Sequence, residues 1–233
     1  MPDFTFDVPE DRAGSAWLAR EGCALRTELL VALLGRFNHD LRTPLNTVMS
    51  WTHLLQQGKV DSSRSRHVMD VLARNAREQV VMLDEFVDDG RAVLGVLKLD
   101  PVGLRIDDLV AHAVERAAPV AALRGASFDV PPHRALAAGI EGDERLLQRL
   151  VYRLLVAVAS RARKGAVLDV TSHFDAGSIA LRIEGPAADG DWSDAALLEL
   201  RISSFVANLH DAELAIDGAP GRAAVALRWP ARP

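Results

Sequence analysis

The sequence of 233 residues predicts two parts, an antiparallel helical hairpin followed by an α/β sandwich. Three observations predict this architecture. Apolar residues recur at helical spacing along two long segments, only the short stretch Gly58–Ser63 separates those segments, and strand-like and helical patterns alternate beyond residue 100. Because one helix pair buries little of two apolar stripes, we expect a second copy of the hairpin to complete a four-helix bundle across a dimer axis.

The hairpin is predicted to contain one helix from about Gly14 to Gln57 and a second from about Arg64 to Leu97. Asp61 or Ser62 is a suitable N-cap for the second helix, because a short polar side chain can accept a hydrogen bond from an exposed helical N–H group. We assign residues 1–14 to a flexible N-terminus. The apolar positions that define the first helix are Leu18, Leu25, Leu29, Leu33, Phe37, Leu41, Leu45, Val48 and Leu55.

The hairpin domain is expected to span residues 15–99, and the α/β domain residues 100–233. The spacing of apolar residues and the positions of turn residues predict three helices and five strands in this second domain. The predicted helices are Ile106–Leu123, Asp143–Arg163 and Ala195–Leu209, and the predicted strands are Ala126–Val130, Ala166–Ser172, Ser178–Glu184, Ala212–Asp217 and Ala223–Trp229.

The composition excludes several classes of protein. A formal net charge of −5 gives no electrostatic reason to expect nucleic acid as the main partner. The single cysteine cannot form an intramolecular disulfide or a multi-cysteine metal site, and the histidines show no metal-ligand spacing. The acidic N-terminus does not resemble a signal peptide, and the apolar runs are too short to span a bilayer. We therefore expect a cytoplasmic protein without a membrane partner or a bound metal.

The segment Phe37–Asn46 carries the most specific chemical pattern in the chain. His39 lies between two apolar positions, so it can face water, and a neutral imidazole is a competent nucleophile. The carboxylate of Asp40 can accept a hydrogen bond from one ring nitrogen and leave the other free to attack. Thr43 lies one turn after His39 on the same face. Pro44 removes a helical N–H group and should bend the helix.

The string His-Asp-Leu-Arg-Thr-Pro-Leu-Asn, within a long helix that begins a hairpin, resembles the phosphoacceptor box of sensor histidine kinases. This resemblance implies a dimerisation and histidine-phosphotransfer domain. It implies that His39 is phosphorylated, that Asp40 is the acid/base partner, and that Thr43 supplies the hydroxyl used in phosphatase activity. It also implies that response-regulator receiver domains dock on the helix beyond His39, where the candidate contact residues are Arg42, Asn46, Thr47, Ser50 and Leu54.

Two segments of the second domain, Ile106-Asp-Asp-Leu109 and Gly142-Asp-Glu-Arg145, each lead into a predicted helix. In this the domain resembles the ATP-binding domain of histidine kinases, of the GHKL type, but it departs from that domain where nucleotide should bind. Ala157 stands where the family has a Mg²⁺-ligating Asn, and Arg153 stands at the preceding Asn position. Glu184 can correspond to the acid that recognises adenine, but Ala188 replaces a glycine that follows it. Glu199 stands in the phosphate-binding stretch, where it would repel phosphates.

The segment between the last two boxes, from Ala187 to Asp194, is also too short for the usual nucleotide lid. These departures predict a pseudokinase domain that holds no cofactor. ATP and Mg²⁺ are expected only if the divergent site works, and Mg²⁺ otherwise belongs to the partner receiver domain.

The sequence therefore favours a phosphorelay histidine phosphotransferase of two-component signalling, which carries a phosphoryl group on His39 between receiver-domain aspartates. Two alternatives stay open. The chain could be a soluble sensor histidine kinase with a divergent ATP site, or a non-catalytic regulator that binds a kinase or a response regulator.

Overall fold

A computed structural model describes residues 23–131, 139–175, 177–217, 219 and 221–230. The predicted flexible N-terminus, residues 1–14, and the predicted start of the first helix at Gly14 lie outside the described residues. The described chain forms two compact units, of which the first is Cys23–Leu97 and the second begins at Lys98. Within the described ranges, no helix is both long and apolar enough to cross a membrane.

The first unit is a hairpin of two long helices, α1 (Cys23–Gln56) and α2 (Ser62–Leu94). The rings of Phe37 and Phe86 stack between them, with centroids 4.2 Å apart. The helix α2 ends three residues before the predicted Leu97. It ends there because Gly95 adopts the left-handed conformation (φ 73°) and its N–H group donates to the carbonyl of Ala92.

The described residues of the second unit form three helices and two sheets. Its elements are β1 (Val102–Leu104), α3 (Ile106–Leu123), β2 (Ser127–Asp129), β3 (Ile140–Gly142), α4 (Glu144–Arg161), β4 (Val167–Asp175), β5 (Ser178–Pro186), α5 (Asp194–Leu209), β6 (Glu213–Asp217) and β7 (Arg222–Pro230). Strands β2, β4, β5, β7 and β6 form one sheet in that spatial order, in which only β2 and β4 run parallel. Strands β1 and β3 form a separate antiparallel pair that was not predicted from the sequence.

The helices cover one face of the five-stranded sheet. Helix α4 packs against α3, α5, β5 and β7. Alternate residues of β5, namely Ile179, Leu181 and Ile183, are fully buried, as expected for the sheet face that the helices cover. The intervening residues Arg182 and Glu184 are half-buried and therefore lie on the opposite face of the sheet.

A buried cluster around Asp143 ties the start of α4 to the end of α5. The Asp143 carboxylate caps α4 by accepting from the N–H group of Leu146 at 3.1 Å, and it also accepts from the N–H group of Asp100 at 3.2 Å. The N–H group of Asp143 donates to Nε2 of His210 at 3.2 Å, and Nδ1 of His210 lies 2.7 Å from the carbonyl of Val206. Because Nε2 accepts, His210 is neutral, with its proton on Nδ1.

Replacement of His210 with alanine should lower the free energy of unfolding by about 2–3 kcal/mol, because two buried backbone groups lose their partner and a cavity is left. Urea denaturation measures this change. As a control, alanine at His112, which is exposed on α3, should change the stability by less than about 0.5 kcal/mol. Equal stabilities of the two variants would show that the cluster contributes nothing.

Candidate functional site

His39 projects into solvent from the middle of α1, with 85% of its side chain exposed. Its neighbours Phe37 and Leu41 are half-buried. This arrangement follows from the helical period, because a residue two positions from Phe37 and two from Leu41 lies about 200° around the helix from each, on the opposite side. The imidazole is therefore accessible to a large partner.

The carboxylate of Asp40 contacts the His39 ring, with Oδ1 of Asp40 3.2 Å from Nδ1 of His39. An ionised carboxylate can only accept hydrogen bonds, so this contact places the ring proton on Nδ1. The lone pair of the neutral ring is then on Nε2. The structure thus brings together the two residues that the sequence singled out as nucleophile and acid/base partner.

A third residue, Arg36, completes this cluster and was missed by the sequence analysis. Its Nε donates to Oδ2 of Asp40 at 3.2 Å, one helical turn before the carboxylate. The signal was present in the sequence, because an arginine and an aspartate four residues apart on a helix can form an ion pair. The carboxylate of Asp40 therefore has one oxygen on His39 and the other on Arg36.

Thr43 and Pro44 follow on the next turn. Thr43 is exposed, and its carbonyl accepts a hydrogen bond from the hydroxyl of Thr47 at 3.1 Å. Pro44 is buried within α1, which continues as one helix from Cys23 to Gln56. Because proline has no N–H group, the carbonyl of Asp40 lacks its usual helical donor beside the reactive residue.

A shallow groove of about 480 Å³ lies along α1 beyond His39. It is lined by Thr43, Asn46, Thr47, Ser50 and Trp51. Three of the predicted partner-contact residues therefore share one surface with Thr43. The other two predicted contact residues, the exposed Arg42 and the half-buried Leu54, do not line this groove.

In the second unit, the positions expected to hold Mg²⁺ and phosphates contain an ion pair. Ala157 is buried on α4 and offers no oxygen ligand. Nε of Arg153 on α4 lies 3.2 Å from Oε2 of Glu199 on α5, and their side chains are only 10% and 16% exposed. Both carboxylate oxygens of Glu199 are shielded from solvent. The two charges therefore neutralise each other between the helices.

The short segment before α5 is held against the end of α4. Nη2 of Arg161 donates to the carbonyl of Gly190 at 2.5 Å, and its guanidinium lies 5.3 Å from the centroid of the Trp192 ring. The N–H group of Ala188 donates to the carbonyl of Arg161 at 2.8 Å. The residue that replaces the expected glycine, Ala188, thus takes part in this attachment.

Glu184 is paired with two arginines. Nε of Arg182 donates to its Oε2 at 2.7 Å, and Nη2 of Arg222 contacts the same oxygen. The carboxylate lies on the sheet face opposite to the helices, and its inward-facing neighbours, Ile183 and Gly185, carry no acid. A Cβ atom on Gly185 would lie only 2.6 Å from Cδ2 of Leu168, so packing of β5 against β4 already requires that glycine.

The family resemblance assigns Mg²⁺ and phosphate binding to these positions. There Ala157 offers no oxygen ligand, and Glu199 is a shielded carboxylate paired with Arg153. Among the described residues, no three His, Cys, Asp or Glu side chains are grouped so that they could hold a metal ion.

Comparisons with known proteins give distant relatives. No family model matches the chain. The chain is 23% identical over 151 residues to the sensor histidine kinase GacS of Pseudomonas protegens, and 25% identical over 179 residues to the sensor protein DivL of Caulobacter vibrioides. These matches cover 65% and 76% of this chain, but only 16% and 23% of the two relatives. The chain thus spans less than a quarter of the length of these curated relatives.

Solved structures share the fold over most of the chain. The histidine kinase AdeS of Acinetobacter baumannii superposes with a TM-score of 0.61 at 11% identity, covering 84% of this chain and 98% of that chain. Full-length ShkA in complex with AMPPNP gives a TM-score of 0.55 at 19% identity, covering 86% and 45% of the two chains. The predicted fold class, a helical hairpin followed by an α/β sandwich, is confirmed.

Replacement of Glu199 with glutamine should lower the free energy of unfolding by about 3 kcal/mol, because it leaves the charge of Arg153 without its ionised partner. Urea denaturation measures the loss. As a control, the double variant Arg153→Met with Glu199→Leu removes both charges and should recover most of the stability. A double variant less stable than the single one would show that the ion pair itself stabilises the packing of α4 on α5.

Proposed function

We propose that this histidine kinase-like chain is a histidine phosphotransferase in a two-component phosphorelay. In this role His39 accepts a phosphoryl group from the aspartate of one receiver domain and passes it to the aspartate of another. The observation that carries the proposal is the Arg153–Glu199 ion pair, formed by two residues at positions that the family resemblance assigns to nucleotide binding. His39, by contrast, is exposed, and its Nδ1 is hydrogen-bonded to Asp40. Another protein can therefore reach Nε2 and transfer a phosphoryl group to it.

The transfer step follows from the position of the ring proton. The lone pair on Nε2 of His39 attacks the phosphorus of an aspartyl phosphate, and the bond between phosphorus and the aspartate oxygen breaks. The electron pair of that bond leaves with the aspartate carboxylate. The ring becomes positively charged, and Asp40 stabilises this charge through the hydrogen bond to Nδ1. Reversal of these steps passes the phosphoryl group to the second receiver.

The groove lined by Thr43, Asn46, Thr47 and Ser50 is the proposed docking surface for the receiver domains. It runs along the same helix from the turn that follows His39. A partner seated there would approach His39 from the exposed side of α1. The mixture of hydroxyl and amide side chains with the half-buried Trp51 offers both hydrogen bonds and an apolar contact.

A second candidate function is a histidine kinase with a divergent ATP site. The names of two similar proteins favour this function. GacS is described as a sensor histidine kinase. ShkA was solved in complex with AMPPNP. The third possibility, a non-catalytic regulator that binds a kinase or a response regulator, requires no phosphorylation of His39.

A second copy of the chain is the proposed partner of the hairpin. On α2, apolar and small residues recur at alternating intervals of four and three residues, which is the spacing of a helix-packing seam. This seam consists of Met69, Ala73, Ala76, Val80, Leu83, Val87, Gly90 and Leu94. Its larger members are exposed, as are Val31, Leu34, Leu45 and Met49 of α1. A four-helix bundle would cover these side chains.

The phosphotransfer proposal predicts that the chain gains an acid-labile radiolabel when it is mixed with receiver domains previously phosphorylated with labelled acetyl phosphate. His39→Ala should remove the label completely, because no nucleophile is left. The control variant His67→Ala, which removes an exposed histidine of α2, should keep it. Labelled ATP with Mg²⁺ should give no label on the wild-type chain.

The outcomes separate the three candidates. Label on His39 from ATP would support the kinase and contradict our interpretation of the Arg153–Glu199 ion pair. Absence of label from every receiver tested, with His39 intact, would argue against phosphotransfer and leave the binding role.

The dimer proposal predicts that Val80→Glu converts the chain from twice the mass of one chain to a monomer, because a charge in the seam of a bundle loses its hydration. Light scattering after size exclusion measures the mass. Val81→Glu is the matched control, because Val81 is as exposed as Val80 (55% and 58%) but lies outside the seam. Loss of the dimer in both variants, or in neither, would rule out this seam as the interface.

A further inference from the structure

In the cluster of Arg36, His39 and Asp40, the Asp40 side chain contacts its neighbour His39, a contact that two adjacent residues of a helix do not normally make. Residues i and i+1 point about 100° apart on a helix and do not normally face each other. The contact between Asp40 Oδ1 and His39 Nδ1 at 3.2 Å therefore requires a particular rotamer of the Asp40 side chain. Both side chains are open to solvent, so water competes for this contact.

Arg36 supplies the second anchor. Side chains of an α-helix lean toward its N-terminus, so the carboxylate of Asp40 leans toward the preceding turn, where Arg36 lies. Nε of Arg36 lies 3.2 Å from Oδ2, the oxygen that does not contact His39. With Oδ2 held by Arg36, rotation that would take Oδ1 away from the ring must also break a charge-assisted hydrogen bond.

We infer that Arg36 is a positioning residue for His39, because it holds Asp40 in the orientation that keeps the ring proton on Nδ1 and the lone pair on Nε2. The inference rests on the proposed function, since the orientation matters only if Nε2 attacks a phosphoryl group. The tautomer of the ring, however, exists with or without phosphoryl transfer and can be measured independently. A guanidinium is always charged, so the anchor works at every pH at which the imidazole is neutral.

Two readouts test the inference. In ¹⁵N spectra of the chain labelled at histidine, with His39 assigned by its loss in His39→Ala, the Nδ1–H form of the neutral ring should dominate. Arg36→Ala should raise the share of the Nε2–H form. The rate of phosphoryl gain from phosphorylated receiver domains should fall about tenfold, the size expected when a residue that orients a reactive group is removed. Arg36→Lys, which can still pair with Asp40, should recover part of both effects.

The variant Asp40→Asn tests whether Arg36 acts on His39 through Asp40. If Arg36 acts through Asp40, Arg36→Ala should change neither the tautomer nor the rate further in the Asp40→Asn background. Arg36→Ala should fold normally, because the position lies on a helix surface and alanine has the highest helix propensity, and circular dichroism checks this.

An unchanged tautomer ratio in Arg36→Ala overturns the inference, as does an unchanged transfer rate or an equal loss in the Asp40→Asn background. Failure of the proposed function looks different. In that case the wild-type chain takes no phosphoryl group from any receiver, and the tautomer ratio alone decides whether Arg36 positions the ring.

Discussion

The packing of α1 against α2 fixes the rotation of α1, and the chemistry of the hairpin depends on that rotation. The stacked rings of Phe37 and Phe86 place one face of α1 inward, together with Leu33 and Pro44. His39 follows Phe37 by two residues and is therefore turned toward solvent. A rotation of α1 by two residue positions, about 200°, would turn the imidazole toward α2 and expose the ring of Phe37. The apolar contact and the exposure of His39 therefore follow from the same packing.

The charged residues at the two candidate sites differ in their exposure to solvent. In the hairpin, Arg36, Asp40 and His39 lie at the surface, where a partner can reach them. In the sheet domain, the charges of Arg153 and Glu199 are paired in the interior, and Glu184 is paired on the far face of the sheet. The described domain thus keeps the histidine kinase-like fold, while the side chains at its nucleotide-related positions contact one another. This contrast is the basis of our proposal that the phosphoryl group on His39 comes from another protein.

Local features of the fold were predictable because each depends on neighbours in the sequence. Helix α3 has the predicted limits, Ile106–Leu123, because its apolar residues recur at helical spacing and the residues that flank it mark both ends. The short strands β1 and β3 were missed because each gains its partner from a distant segment, Val102 opposite Gly142 for example. The early end of α2 was missed because the left-handed Gly95 competes with an apolar period that continues to Leu97.

The sequence by itself determined the hairpin, the α/β domain, the candidate nucleophile His39 with its neighbour Asp40, and the alanine at position 157, where the family resemblance leads one to expect an asparagine. Each of these depends on residue type and on spacing within one element. Only the tertiary structure decided that Arg153 pairs with Glu199, that Glu184 faces away from the helices, and that His210 bonds Asp143. These contacts join residues far apart in the chain, and the packing of helices and strands, which no local period encodes, brings them together.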